Sequence, residues 1–377
     1  MMKKQLLSLV TLLCVVWLTP ARALAYDFEV DGIYYNITSS SNPLTVEVTN
    51  NGNDYEYAGA ITIPERVTYN NVTYSVTSIG DSAFNGCSGL TSIEIPASVT
   101  RIGFRAFRTC TGLTLIVVAA GNPNYDSREN CNAIIETSSN TLIQGCKTTV
   151  IPASVTSIGQ LAFDGCTGLT SIEIPASVTY IYEMAFDSCS GLTSIVVAAG
   201  NPNYDSRENC NAIIETSSNK LLQGCKTTVI PASVTSIEHR AFAGCSGLTS
   251  IEIPASVTSI RDGAFLGCTG LTEIFSRASA PPACDDEVWM KVNKSTCTLY
   301  VPAGTKDAYA TAEGWKDFIN IEEFDATEIT TLDAEATDTD LSDSEIYTMG
   351  GQRVDALQAG MNIVRMKNGK VKKIVKR

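Results

Sequence analysis

Ile151-Pro152-Ala153-Ser154-Val155-Thr156-Ser157-Ile158 closes a stretch that begins at Ile116 and is written out a second time from Ile195 to Ile237. The two copies differ only at Thr141 against Lys220 and at Ile143 against Leu222. Versions of the same octapeptide also begin at Ile95, Ile174 and Ile253. A chain that copies itself this closely builds a stacked array, because each unit hides its apolar side only against a neighbour. The 377 residues therefore do not imply two or three closed cores, since a solenoid grows by adding coils.

Strand-like triplets recur outward from the copied stretch. They fall at Ile61, Ile93, Ile116, Thr149, Ile172, Ile195, Thr228, Ile251 and Ile274, and after the first interval their spacing runs 23, 33, 23, 23, 33, 23, 23. Alternation sends the outer two residues of each triplet inward and the middle one to solvent, which predicts one parallel sheet with an exposed face. Pro64, Pro96, Pro152, Pro175, Pro231 and Pro254 follow the triplets and stop the strands, because proline cannot donate to the ladder. The fold class expected is an α/β-type solenoid, mostly β, over residues 61–276.

The two 33-residue coils each hold an excursion, Asn122 to Gly145 and Asn201 to Gly224. Ala133 to Thr137 and Thr141 to Gly145 flank Ser138-Ser139-Asn140, a pattern that predicts a short hairpin projecting from the coil. Insertions at matched positions often carry the binding face of a solenoid. Tyr125 and Tyr204 are the candidate contacts there.

Cys87-Ser88-Gly89-Leu90-Thr91-Ser92-Ile93-Glu94-Ile95-Pro96, followed by Val99, Ile102 and Ala106-Phe107, resembles the BspA-like, treponemal-type leucine-rich repeat. The resemblance implies a right-handed solenoid on a bacterial surface protein. It also implies adhesion to host matrix proteins, host cells or other bacteria.

Six cysteines (Cys87, Cys110, Cys166, Cys189, Cys245, Cys268) recur at coil spacing and predict a packed column of reduced thiols. Cys131 with Cys146, Cys210 with Cys225, and Cys284 with Cys297 are the candidates for disulfides, since export permits them. No close Cys-x-x-Cys pair exists and His239 is the single histidine, so neither a metal site nor any cofactor is expected. Phe84, Phe107, Phe163, Phe186, Phe242 and Phe265 form a second column, expected in the core.

One histidine removes most nucleophile triads, and the chain reads as no enzyme. Glu94, Glu173 and Glu252 occupy exposed middle positions three rungs apart, roughly 14 Å, beyond the separation of about 5–9.5 Å at which glycosidase carboxylates cooperate. With Val117, Val150, Val196, Val229 and Phe275 they form a banded face in which acidic rungs alternate with apolar pairs. Apolar anchors beside charges suit protein recognition, and this face is the leading candidate site. A carbohydrate-binding or envelope-organising scaffold is the alternative. Arg101, Arg105 and Arg108 share one coil and read as solvated charges, while Asp338, Asp340 and Asp343 lack the glycine and terminal glutamate of a calcium loop.

Lys3 and Lys4 precede an apolar run from Leu6 to Leu18, and Ala23-Leu24-Ala25 supplies small residues for cleavage, so residues 1–25 read as a signal peptide. Leu13 before Cys14 argues against lipoprotein processing. Removal of that segment takes three basic residues and leaves 24 basic against 40 acidic, a net −16 in place of −13. Nucleic acid is excluded as a partner by that balance. The expected location is extracytoplasmic, at the cell surface or secreted, as a monomer with extracellular protein or surface ligands and a possible glycan.

Residues 26–60 read as an N-terminal cap, 277–324 as a C-terminal cap, and 325–345 as an acidic linker. Residues 346–377 reverse the charge and carry two hairpin-like pieces, the second turning at Asn368-Gly369. Ile346-Tyr347-Thr348-Met349-Gly350-Gly351-Gln352-Arg353-Val354, then Leu357 and Gly360-Met361-Asn362-Ile363-Val364, is similar to sorting domains of the type IX secretion pathway. That resemblance implies an export address and not a ligand site.

Overall fold

A computed structural model describes residues 25–52, 57–324 and 345–348, together with strands at 353–354, 360–365 and 371–376. The signal-like segment up to residue 24 and the acidic linker at 325–344 lie outside the described residues. The described solenoid is mostly β with one short α-helix, Lys306–Thr311.

Each standard coil contributes three things to the stack. The first is a strand of the expected front row. Gly59–Thr62, Leu90–Ile95 and Leu115–Val118 pair in parallel, as do Ser171–Ile174 with Ser194–Val197. Ser250–Ile253, Glu273–Ser276, Thr298–Pro302 and Asn320–Phe324 form a further parallel piece. In these strands Ile93, Ile95, Ile172, Ile174, Ile251 and Ile253 are buried, so the inward and outward alternation is as the pattern demands.

The second contribution is a two-residue strand that reasoning from the triplets missed. Ser78 and Ile79 pair with Arg101–Ile102, and Ser157–Ile158 with Tyr180–Ile181. Ser236–Ile237, Ser259–Ile260 and Ala283–Cys284 continue this second row. Its source is the Ser-Val-Thr-Ser-Ile segment, in which Val and Ile point inward and too few residues remain to show a period. Threonines between the rows tie coil to coil: the Thr114, Thr193 and Thr272 hydroxyls donate to the Thr91, Thr170 and Thr249 carbonyls at 2.9, 3.0 and 3.1 Å.

The third contribution is a turn whose last residue before Ala-Phe is left-handed. Ser82, Arg105, Leu161, Met184, Arg240 and Gly263 have φ between 55° and 60°. Only one of the six is glycine, the residue with no steric cost there. The phenylalanine that follows is buried, and the rings stack in pairs: Phe84 with Phe107 at 5.0 Å, Phe163 with Phe186 at 5.0 Å and Phe242 with Phe265 at 4.9 Å. Tyr57 extends the column at one end, 4.7 Å from Phe84, and Trp289 at the other, 4.6 Å from Phe265.

The excursions break this pattern in a defined way. The predicted hairpin exists, Ile134–Glu136 antiparallel to Thr141–Gln144, with Tyr125–Asp126 on its outer edge. It does not project. Cys131, Ala133, Ile134, Ile135 and Leu142 are buried, and Thr141–Gln144 pairs in parallel with Ser157–Ile158 as a rung of the second row. Ile134 packs into the cluster that precedes it and Ile135 into the cluster that follows. The twin places Ile213 and Ile214 on either side of the next boundary. Each excursion is thus a septum between two core blocks.

The septum also takes backbone bonds from the front row. Val150 N–H donates to the Cys131 carbonyl and Val229 N–H to the Cys210 carbonyl, each at 3.1 Å. Thr149–Ile151 and Thr228–Ile230 are therefore not strands, which corrects the expectation for these two triplets, and the front row falls into the three pieces above. On the phenylalanine side each septum presents Gly145 or Gly224 where other coils present a ring. A Cβ at either glycine would meet Phe163 or Phe242 at 2.2 Å.

At the N-terminus, Phe28–Val30, Ile33–Ser39 and Thr45–Thr49 join Val72–Ile79 and Arg66–Tyr69 in a sheet that covers the first coil. At the other end Tyr309, Trp315 and Phe318 are buried against Trp289 and close the last apolar face. The tail forms both expected hairpins: Glu345–Thr348 lies antiparallel to Arg353–Val354, and Gly360–Arg365 to Val371–Lys376.

Candidate ligand-binding surface

Within each piece of the front row the middle residues stand in register; Thr62, Glu94, Val117, Glu173 and Val196 are exposed, while Glu252 and Phe275 are half-buried, which corrects the expectation of a uniformly open face. Thr62 stands opposite Glu94, Glu94 opposite Val117, Glu173 opposite Val196 and Glu252 opposite Phe275. Val117, Val196 and Val229 are exposed, and Val150 is the most open of the set at 73%. Val150 and Val229 are exposed outside the strands, and each gives its N–H to a septum, to the Cys131 and Cys210 carbonyls. The three glutamates fall in three separate pieces of the row.

Glu252 differs from its two counterparts. Arg277 donates to its Oε1 at 2.8 Å, and the same guanidinium lies 4.6 Å from the centre of the Phe324 ring. Beside it Phe275 stacks on Tyr300 at 4.5 Å. Thr62 bonds Glu94 at 3.4 Å. Arg277, Tyr300 and Phe324 are half-buried residues that the repeat pattern could not reveal, because they lie where the pattern decays into the cap.

Tyr125 and Tyr204 are not on the surface. They are 8% and 5% exposed, and their hydroxyls accept from Ile102 N–H and Ile181 N–H at 3.2 Å. Burial pushes both phenols above their ordinary range. This corrects the expectation that the excursions offer these rings to a ligand. The polar residues around them are likewise engaged: Asn122 Nδ2 donates to the Pro96 and Val99 carbonyls, and Arg128 grips Asp126 and Asn140. The second copy repeats every one of these contacts through Asn201 and Arg207.

The cysteines of the described residues are all free thiols. The three proposed disulfides are therefore not formed, and the column reading holds. Cys110, Cys189 and Cys268 donate to the Phe84, Phe163 and Phe242 carbonyls at 3.0, 3.1 and 3.1 Å, a bond from the second to the first coil of each stacked pair. Burial pushes the Cys166 and Cys245 thiols up to about 12. Thiols so far from ionisation are poor nucleophiles and poor metal ligands.

Arg108 departs from the expectation of a solvated charge. It bonds Asp164, which is almost fully buried, and Arg240 bonds the equally buried Asp187 at 2.7 Å. These two pairs bridge the septa. His239 is half-buried beside Asp262 at 3.4 Å. Among the described residues no group of three or more His, Cys, Asp or Glu side chains is placed to hold a metal. The largest exposed rings lie elsewhere, on the second row and the turn that follows it: Phe104 at 56%, with Arg105 over its face, and Tyr180 and Tyr182 at 54% and 46%.

A family model described as the BspA type leucine-rich repeat region matches six copies over residues 65–145, 139–211 and 213–281. The chain belongs to the BspA-type leucine-rich repeat family. Solved leucine-rich repeat proteins are similar to it across most of their length. One is a leucine-rich cell surface protein from Faecalibacterium prausnitzii, 23% identical, covering 78% of this chain and 94% of that one, with a TM-score of 0.38. Another is a leucine-rich repeat protein from Eubacterium ventriosum, 20% identical over 78% and 76% of the two chains, with a TM-score of 0.45. The pneumococcal vaccine antigen PcpA is 16% identical over 79% and 98%, with a TM-score of 0.39. No curated protein matches the chain. BspA-type repeat proteins are surface-exposed and bind other proteins as a class, and among the described residues no helix is long and apolar enough to cross a membrane.

Proposed function

We propose that this BspA-type protein is an exported, non-enzymatic adhesin that binds extracellular proteins of a host or of other bacteria. The observation that carries the reading is the twin set Val117 with Val150 and Val196 with Val229, exposed side chains at matching positions of two near-identical segments. Apolar groups supply binding energy when a partner covers them, and the neighbouring Glu94 and Glu173 select by charge. Two equivalent patches favour a ligand with repeated features, through effective concentration. The signal-like start and the type IX-like tail support export by that route, with the tail as an address.

The test is binding of the full chain to immobilised purified matrix proteins, with a glycan array and a peptide and glycan hydrolysis panel alongside. Protein binding with no turnover is expected. Binding to glycans alone moves the function to the carbohydrate-binding alternative, and turnover overturns both.

A further inference from the structure

The front row offers one arrangement at three equivalent places, and the chain itself fills one of them. A glutamate in the middle of one strand stands opposite an apolar residue in the middle of the next: Glu94 opposite Val117, Glu173 opposite Val196 and Glu252 opposite Phe275. Two residues after the apolar one come Ala119, Ala198 and Arg277. Their backbones are placed alike, since each gives its N–H to the carbonyl of the isoleucine that follows the glutamate. Ala119 donates to Ile95 at 2.8 Å, and Ala198 to Ile174 and Arg277 to Ile253 at 2.9 Å.

From that place Arg277 reaches back to Glu252. Its Nε donates to Oε1 at 2.8 Å and its guanidinium lies 4.6 Å from the centre of the Phe324 ring, so both its charge and its planar face are answered within the chain. Alanine cannot reach the glutamate. Among the described residues Glu94 and Glu173 have no ion-pair partner, and the side-chain contact of Glu94 is the Thr62 hydroxyl at 3.4 Å. Both carboxylates are exposed, where Glu252 is half-buried. Lys147 and Lys226, the cations that flank the row in sequence, pass over Gly168 and Gly247 of the following coil and pair with neither glutamate. The third glutamate is thus neutralised from within, and the first two stand ready for the same group from outside.

We propose that Glu94 and Glu173 are a pair of arginine-binding subsites on the front row, each taking a guanidinium from a protein ligand as Glu252 takes that of Arg277. The inference rests on the protein-binding reading above and deepens it, because it names the side chain that the ligand must present. Val117 and Val196, in the place of Phe275, offer the aliphatic stem of the incoming arginine an apolar surface. Arginine is favoured over lysine by its fork of donors and its weaker hydration. The net charge of −13 favours the approach of such a ligand. Because the subsites belong to equivalent coils, a ligand with two arginines gains by avidity.

The test is selection of a random peptide library on the full chain, followed by affinity measurement of an enriched peptide on the parent and on variants. Enrichment of arginine beside aliphatic residues is expected. Citrulline in its place, which keeps the shape and removes the charge, lowers the affinity at least about fivefold. Glu94→Gln with Glu173→Gln has the same effect. So does Ala119→Arg with Ala198→Arg, which copies the Arg277 arrangement and closes both subsites from within. Gln160→Arg with Tyr182→Arg adds the same charge beyond the second row and leaves the affinity within about twofold. Enrichment without arginine, no enrichment, affinity that survives Glu94→Gln with Glu173→Gln, or an equal loss in the Gln160 and Tyr182 variant each overturns the proposal. A matrix protein that binds the full chain equally well after its arginines are blocked with a dicarbonyl reagent overturns it and leaves the protein-binding reading standing. If neither peptides nor proteins bind, both fall.

Discussion

Gly145 lies against the edge of the Phe163 ring so closely that a Cβ would stand 2.2 Å from Cε1. Gly224 stands in the same relation to Phe242. The septa thus run through the aromatic column at the only size of residue that fits, and the column is cut into stacked pairs. Alanine at either glycine forces ring and backbone apart, and a loss of about 1–3 kcal/mol is expected from overpacking. Chemical denaturation of G145A and G224A measures it. Gly247→Ala, whose new Cβ meets only the flexible end of Lys226 at 3.2 Å, is the control and changes the midpoint far less.

Truncation of the column itself acts in the opposite sense. Phe163 is fully buried and stacked on Phe186, so Phe163→Ala opens a cavity and is expected to cost about 3–5 kcal/mol. In a stacked array that loss falls on adjoining coils, and hydrogen exchange in Phe163→Ala rises first between the two septa.

The Arg108–Asp164 pair joins coils on either side of the first septum. Burial raises the Asp164 carboxyl above its ordinary value, while Arg108 lowers it. Arg108→Met leaves a buried carboxylate without its charge partner and is expected to cost about 3 kcal/mol at neutral pH, the low end for a pair whose arginine is partly exposed. Arg108→Met with Asp164→Leu recovers most of it. The pH dependence has a definite sign. A carboxyl whose folded pKa lies above its unfolded value binds more protons when folded, so its contribution is fully present below the unfolded pKa and lost as pH rises through the folded one. The deficit of Arg108→Met relative to the parent therefore shrinks as pH falls from 7, and denaturation at several pH values reads this directly.

The thiol column predicts chemical silence. With Cys166, Cys245 and Cys297 pushed up to about 12 and no disulfide among the described residues, native protein at pH 8 is expected to resist a thiol-specific reagent. Unfolding exposes the full count. A reducing agent leaves the Tm unchanged, and a drop on reduction would show that disulfides exist.

The sequence made the solenoid, its front row and its aromatic and thiol columns legible because each repeats a full-sized apolar residue at coil spacing. Ile93, Phe107 and Cys110 are visible as periods. The second row was not, since two residues such as Ser157–Ile158 are too short to show alternation. The septa misled for a different reason. Asn122-Pro123-Asn124-Tyr125 has the composition of an exposed loop, and nothing local reveals that Asn122 spends its amide on the preceding coil or that the Tyr125 hydroxyl answers the Ile102 N–H. Of the candidate site, the outward placement of Glu94, Val117, Glu173 and Val196 follows from alternation, whereas Val150 and Val229 are exposed without lying in strands. Arg277 beneath Glu252 was not legible, because its partner stands one coil away.

On the proposed function, the two near-identical segments present equivalent contacts to one protein ligand. This equivalence is tested most directly by the affinity of a matrix protein that binds the full chain for Val150→Ser, for Val229→Ser and for the two combined. Equal losses from the single substitutions, and a larger loss from the pair as avidity collapses, are predicted. Unequal single losses, or a pair that binds like the parent, would contradict it.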